Sequence, residues 1–138
     1  MANPIDVKDY WTAGGILLGF QITAFSWRIS EESKVAAKGD LVWLPPADYL
    51  NLAAMIVTVI GVFVAPAFDL LSSSALRVLF GLSALLFLGH ALALAGHYEL
   101  FTRGKKRTFV WWSRQEKIAM SVVAIVVLAY LIVAVAIQ

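Results

Sequence analysis

The chain contains no cysteine, and charge is scarce: Asp, Glu, Lys and Arg make up 14% of its 138 residues. Without cysteine there is no disulfide, no thiolate metal site and no cysteine nucleophile. The motifs of common enzyme chemistries are missing too, with no HExxH, no P-loop, no GxGxxG after a strand and no serine elbow. The two histidines, His90 and His97, share one apolar run, so bis-histidine haem ligation has no partner on another helix, and Met55 is the only thioether near the right depth. Ser83 and His90 stand two helical turns apart, about 10 Å along the axis. That is too far for a nucleophile and its base. No catalytic residue, metal or cofactor is expected, and the chain reads as a non-enzyme.

What is present is apolar. Hydrophobic residues make up 61% of the chain, far from the balance of a soluble globule. Four stretches, residues 10–28, 49–71, 75–98 and 114–137, each come near the ~20 residues that a bilayer core requires. The expected fold class is an all-α integral membrane protein: a single four-span helix bundle over residues 1–138, with short outer loops and two longer cytoplasmic ones. The N-terminus, MANPIDVKD, carries acids where a signal peptide has a basic region, so no cleavage is expected.

The net charge of +2 conceals an asymmetry. Lys8 and Arg77 fall on one side of such a bundle; Arg28, Lys34, Lys38, Arg103, Lys105, Lys106, Arg107, Arg114 and Lys117 fall on the other. Basic residues mark the cytoplasmic side. Both long loops are therefore expected in the cytoplasm and both termini outside.

Small residues recur at helical spacing. Thr12, Gly15, Gly19, Thr23 and Ser26 run along the first span and include a GxxxG, which reads first as packing within the bundle. Asn51, Ala54, Thr58, Gly61 and Ala65 form an unbroken seam on the second, and Gly89, Ala93 and Gly96 a ridge on the third. The fourth span, rich in Val and Ile, is expected to be the most exposed to lipid. Asp9, Asp48 and the Ser113–Glu116 capping box are candidate helix starts, and Gly39 a stop. Pro66 should kink or end the second helix, and Arg28 is expected to reach toward the headgroups.

One ionisable residue lies deep. His90 is eight residues from Tyr98, ~12 Å inward at helical rise, near the middle of the hydrocarbon. Counting inward along the other spans brings Thr58, Ser121 and Gln21 to a similar depth. These four are expected to form a buried polar layer, His90 bonding Thr58 first and Ser121 or Gln21 next. An intramembrane histidine is either interhelical glue or a functional group. Asp69 and Arg77 pair at the outer mouth, and His97 marks the inner one.

The loop after the third span, ELFTRGKKRTFVWWS, mixes Arg103, Lys105, Lys106 and Arg107 with Trp111 and Trp112. Such a cluster attracts anionic lipid headgroups at ~1 kcal/mol per basic residue; nucleic acid is not expected. The run RVLFGLSALLFLGHAL is similar to the first helix of DoxX-type proteins, but here it occupies the third span and covers a small part of the chain, and no function follows from it. The glutamate on which small multidrug transporters rely in their first span has no counterpart. The sequence points to an accessory or assembly subunit of a membrane complex, and in second place to a homo-oligomeric proton- or ion-linked transporter or channel using His90.

Overall fold

A computed structural model describes residues 6–39, 43–102 and 111–137. They form four long helices: α1 (Val7–Ala36), α2 (Pro46–Ala67), α3 (Ser73–His97) and α4 (Arg114–Ile137). Three of them, α2, α3 and α4, are long and apolar enough to cross a membrane. In α1, Thr12, Gln21, Thr23 and Ser26 interrupt the apolar run, and this helix falls outside that set.

Consecutive helices run antiparallel around α3, which packs against each of the others. Among the described residues, one end of the bundle carries Arg28, Lys34, Lys38, Arg114 and Lys117; the other carries the short turn 68–72 with Lys8 and Arg77. The buried share of the most apolar stretch falls from 28% in α2 to 22% in α3 and 11% in α4, so α4 is the most peripheral of the three. A Cβ added to Gly96 would lie 2.9 Å from backbone atoms of Gln115 and Glu116. The first turn of α4 thus seats directly on the end of α3.

The helix ends follow local chemistry. Ser72 caps α3 by accepting from Ala75 N at 3.2 Å. α1 begins earlier than expected, with Asp6 rather than Asp9 at its cap, and stops just before Gly39, whose φ is +81°. α2 is capped by Pro45 and not by Asp48, whose side chain turns inward instead. Beyond Ile56 this helix widens into a π-helical stretch, Val57–Val64, before Pro66. Pro66 has no N–H for the carbonyl of Val62 four residues back, and Trp11 Nε1 donates to that carbonyl at 3.0 Å.

The small-residue seam of α2 faces the bundle: Asn51, Ala54, Thr58 and Gly61 are buried. So is the ridge of α3, where Gly89 lies against Val123. The α1 series does not behave as expected. Gly15 and Gly19 meet nothing within 4 Å, and Gly14 is the glycine that packs, against Val62 and Phe63. Apolar packing collects in two places. Tyr10, Val62 and Leu76, with Val7, Phe63 and Phe80, fill the short-turn end. Ala47, Ala93 and Ala119, with Leu50, Leu94 and Met120, lie toward the basic end.

Candidate functional site: a buried polar network

Arg28 does not reach out toward headgroups. It is 2% exposed and binds three partners: Asp48 Oδ2 accepts from Nε at 3.1 Å, Glu32 Oε1 from Nη2 at 2.7 Å, and Tyr98 Oη from Nη1 at 2.5 Å. Because Glu32 lies one turn along α1 from Arg28, Asp48 opens α2 and Tyr98 ends α3, this single guanidinium ties three helices together. A planar fork with five donors suits that task as an ammonium would not.

Asp48 and Glu116, each wholly buried, carry the network to the remaining elements. Glu116 Oε1 accepts from the free N–H of Ala47, in the first turn of α2, at 2.8 Å. Its Oε2 accepts from His97 Nδ1 at 2.8 Å. The expected capping box is therefore half made: Glu116 N donates to Ser113 Oγ at 3.1 Å, Ser113 Oγ donates to Gly96 O at 2.7 Å, and the Glu116 carboxylate serves α2 and α3 rather than its own helix. His97 is 14% exposed, at the basic end.

His90 is buried, but its partner is not Thr58. Nδ1 lies 3.0 Å from Ala47 O and 3.7 Å from Asp48 Oδ1. A carbonyl can only accept, so Nδ1 carries the hydrogen, which assigns the tautomer. The ring stacks on Phe87 with centroids 6.3 Å apart.

The polar layer itself exists with different members. Gln21 Nε2 donates to Ser83 Oγ at 2.9 Å, Thr58 Oγ1 donates to Gln21 Oε1 at 3.1 Å, and Ser83 Oγ bonds Thr58 and reaches Ala54 O at 3.1 Å. All three side chains are completely buried. Ser121 does not belong to it: this residue is exposed and bonds Lys117 O on its own helix. Asn51, one turn along α2 from Asp48, joins the layer through Nδ2, which donates to Gln21 O at 3.0 Å. Gln21 and Thr58 do meet, whereas counting along a helix could not tell which face Ser121 occupies.

The two mouths differ. Asp69 and Arg77 are both exposed, and the ion pairs among the described residues do not join them. Asp69 has φ +56° and ends α2: its N–H reaches Pro66 O while Leu70 N–H reaches Ala65 O. That is a helix stop in left-handed conformation. At the basic end Trp111 and Trp112 are exposed, with Lys117 Nζ 5.1 Å from the Trp112 ring centre. Arg103, Lys105, Lys106 and Arg107 lie outside the described residues.

Sequence reasoning missed Arg28, Glu116 and Asp48 as site residues. The available signal was that acids and bases at the edges of apolar runs need partners when those edges pack together. No group of three or more His, Asp or Glu among the described residues has the arrangement of a metal site. Comparison with protein-family models, curated proteins and solved structures finds no match to this chain.

Proposed function

We propose that this is a four-span membrane protein that handles protons or ions through the buried network around Asp48 and His90. One observation carries the reading: Arg28, Asp48, His90 and Glu116 are each at most 3% exposed inside a bundle of apolar helices. Ionisable groups at such depth are costly and mark ion or proton pathways. His97 and Glu32 bring the network to the basic end, whereas Tyr10, Val62 and Leu76 pack across the opposite one. A relay open to one side needs that asymmetry. The π-helical stretch Val57–Val64 carries both Thr58 of the polar layer and Val62 of the apolar plug, and such stretches concentrate at functional positions. In this reading α1 spans as well, the basic end is cytoplasmic and both termini lie outside, in keeping with the nine-to-two distribution of basic residues. The basic loop with Trp111 and Trp112 then rests on anionic headgroups.

The test is flux in liposomes under an imposed pH gradient. The wild type should show pH-dependent flux and His90→Gln should lose it. Undiminished flux in that variant removes His90 from the mechanism, and an inert wild type ends the transport reading.

A second reading, an accessory or assembly subunit that docks on other membrane chains or on a second copy, is favoured by the face of α1. Gly15 and Gly19 are open, and Thr12, Thr23 and Ser26 beside them are exposed. Two of the three small-residue series are used up inside the bundle, which leaves this one for a neighbour. The native mass after gentle extraction separates the readings. A heavier complex containing other chains favours the subunit, and a homo-oligomer of defined size favours transport.

A further inference from the structure

Asp48 and Asn51 stand one turn apart on the buried side of α2, and each keeps an oxygen without a hydrogen-bond donor: Asp48 Oδ1 and Asn51 Oδ1. Both side chains are 0% exposed. Their other polar atoms are committed, Asp48 Oδ2 to Arg28 and Asn51 Nδ2 to Gln21 O. A buried acceptor left alone costs ~1–3 kcal/mol. Two on one helix face, with His90 Nδ1 only 3.7 Å from the nearer, require a donor.

Charge leads to the same place. The titratable and charged groups that surround Asp48 are Arg28 and Glu32 from α1, His90 and His97 from α3 with Tyr98 just beyond it, and Glu116 from α4. Three carboxylates stand against one guanidinium, an excess of two negative charges if both imidazoles are neutral, with Asp48 and Glu116 wholly buried and Glu32 20% exposed. A proton on His97 offsets one of them, directly on Glu116. For the second, the network offers Asp48 and His90.

Resting on the proton-handling reading above, we propose that Asp48, Asn51 and His90 form a proton-loading site. One proton taken up from water adds to Asp48 Oδ1, and the new O–H donates to Asn51 Oδ1. No other covalent bond forms or breaks, Arg28 keeps its bond to Oδ2, and the charge of the cluster rises by one. A single proton thereby satisfies both orphaned oxygens. The Nδ1–H of His90, held by Ala47 O, stands 3.7 Å from the same oxygen, so this ring sets the polarity against which the proton is taken up and keeps its own hydrogen. A sodium ion fits less well, because the protonated Nδ1 of His90 stands 3.7 Å from the oxygen that would have to bind it.

The test needs no transport. Infrared difference spectra between acidic and alkaline buffers, recorded on the protein in lipid nanodiscs, report a protonated carboxyl in a dry site as a C=O band above those of solvated acids. The wild type should show this band, and it should move when carboxyl-labelled aspartate replaces ordinary aspartate. Asn51→Leu should shift it to higher frequency, and His90→Gln should displace the pH at which it appears. It should vanish in Arg28→Met/Asp48→Leu, which removes the ion pair as a whole and leaves no unpaired guanidinium. A band that ignores aspartate labelling, that survives the double variant, or that disappears on adding sodium at constant pH overturns the site. Flux absent from liposomes while the band behaves as described would instead overturn the transport reading and leave the site standing.

Discussion

Arg28 is the residue on which most of the buried charge depends. Arg28→Ala strands Asp48 in the interior and should cost ~3–5 kcal/mol, measured as loss of thermal stability in detergent. Arg28→Met/Asp48→Leu should recover most of that loss, since replacing both partners of a buried pair by apolar groups of similar volume is often neutral. Ser121, bonded to its own helix and exposed, provides the contrast: Ser121→Ala should change stability by less than ~0.5 kcal/mol. Outside the spans, Lys34 holds the exposed Glu31 carboxyl below its ordinary value, chiefly through their hydrogen bond. That contribution is present above the ordinary carboxylate range and lost as pH falls through the lowered value, and at an exposed pair it is small.

At the level of elements, α2 is the unusual one. Its π-helical stretch and Pro66 leave the Val62 carbonyl to the indole of Trp11 on α1. Trp11→Phe should therefore cost ~0.5–1.5 kcal/mol, and less in a Pro66→Ala background, where a helical N–H competes for the same oxygen. A double-mutant cycle reads the difference. The stop at Asp69 makes a further distinction. In left-handed conformation Asp69→Gly should hold or raise stability by up to ~1 kcal/mol, whereas a β-branched residue there should lower it. If Asp69→Gly alters flux without altering stability, the residue is more than a helix stop. The joint between α3 and α4 is less forgiving. Gly96→Val would drive a branched side chain into the backbone of Gln115 and Glu116, and should cost ~1–3 kcal/mol while displacing Glu116 from His97.

For the whole molecule, the absence of cysteine makes orientation directly measurable. Ser33→Cys and Ser72→Cys are each exposed in the structure, at opposite ends of the bundle. In intact cells a membrane-impermeant maleimide should label Ser72→Cys at once and Ser33→Cys only after permeabilisation. Labelling of both from outside would contradict the proposed orientation. The apolar exterior, with Ile16, Phe20, Leu88, Ile125 and Ile132 all more than half exposed, has the character of a lipid-facing surface around a polar interior.

Composition and periodicity by themselves determined the helical class, the approximate extents of α2, α3 and α4, and the face of α2 that packs. Those properties depend on residues near in sequence: apolar runs, a 3.6-residue repeat, Pro66 as a breaker. The burial of His90 does not follow from counting, since Ser121, counted to a similar depth, is exposed. The partner of His90, and the members of the network, were decided only in three dimensions. Arg28 meets Tyr98 across 70 residues and Glu116 meets Ala47 across 69. Whether a charge at the edge of an apolar run turns out to water or in to another charge depends on how neighbouring helices are rotated. That rotation is a property of the packed bundle: Gly96 admits the backbone of α4, Gly14 admits Val62, and Gly15 and Gly19 are left facing outward.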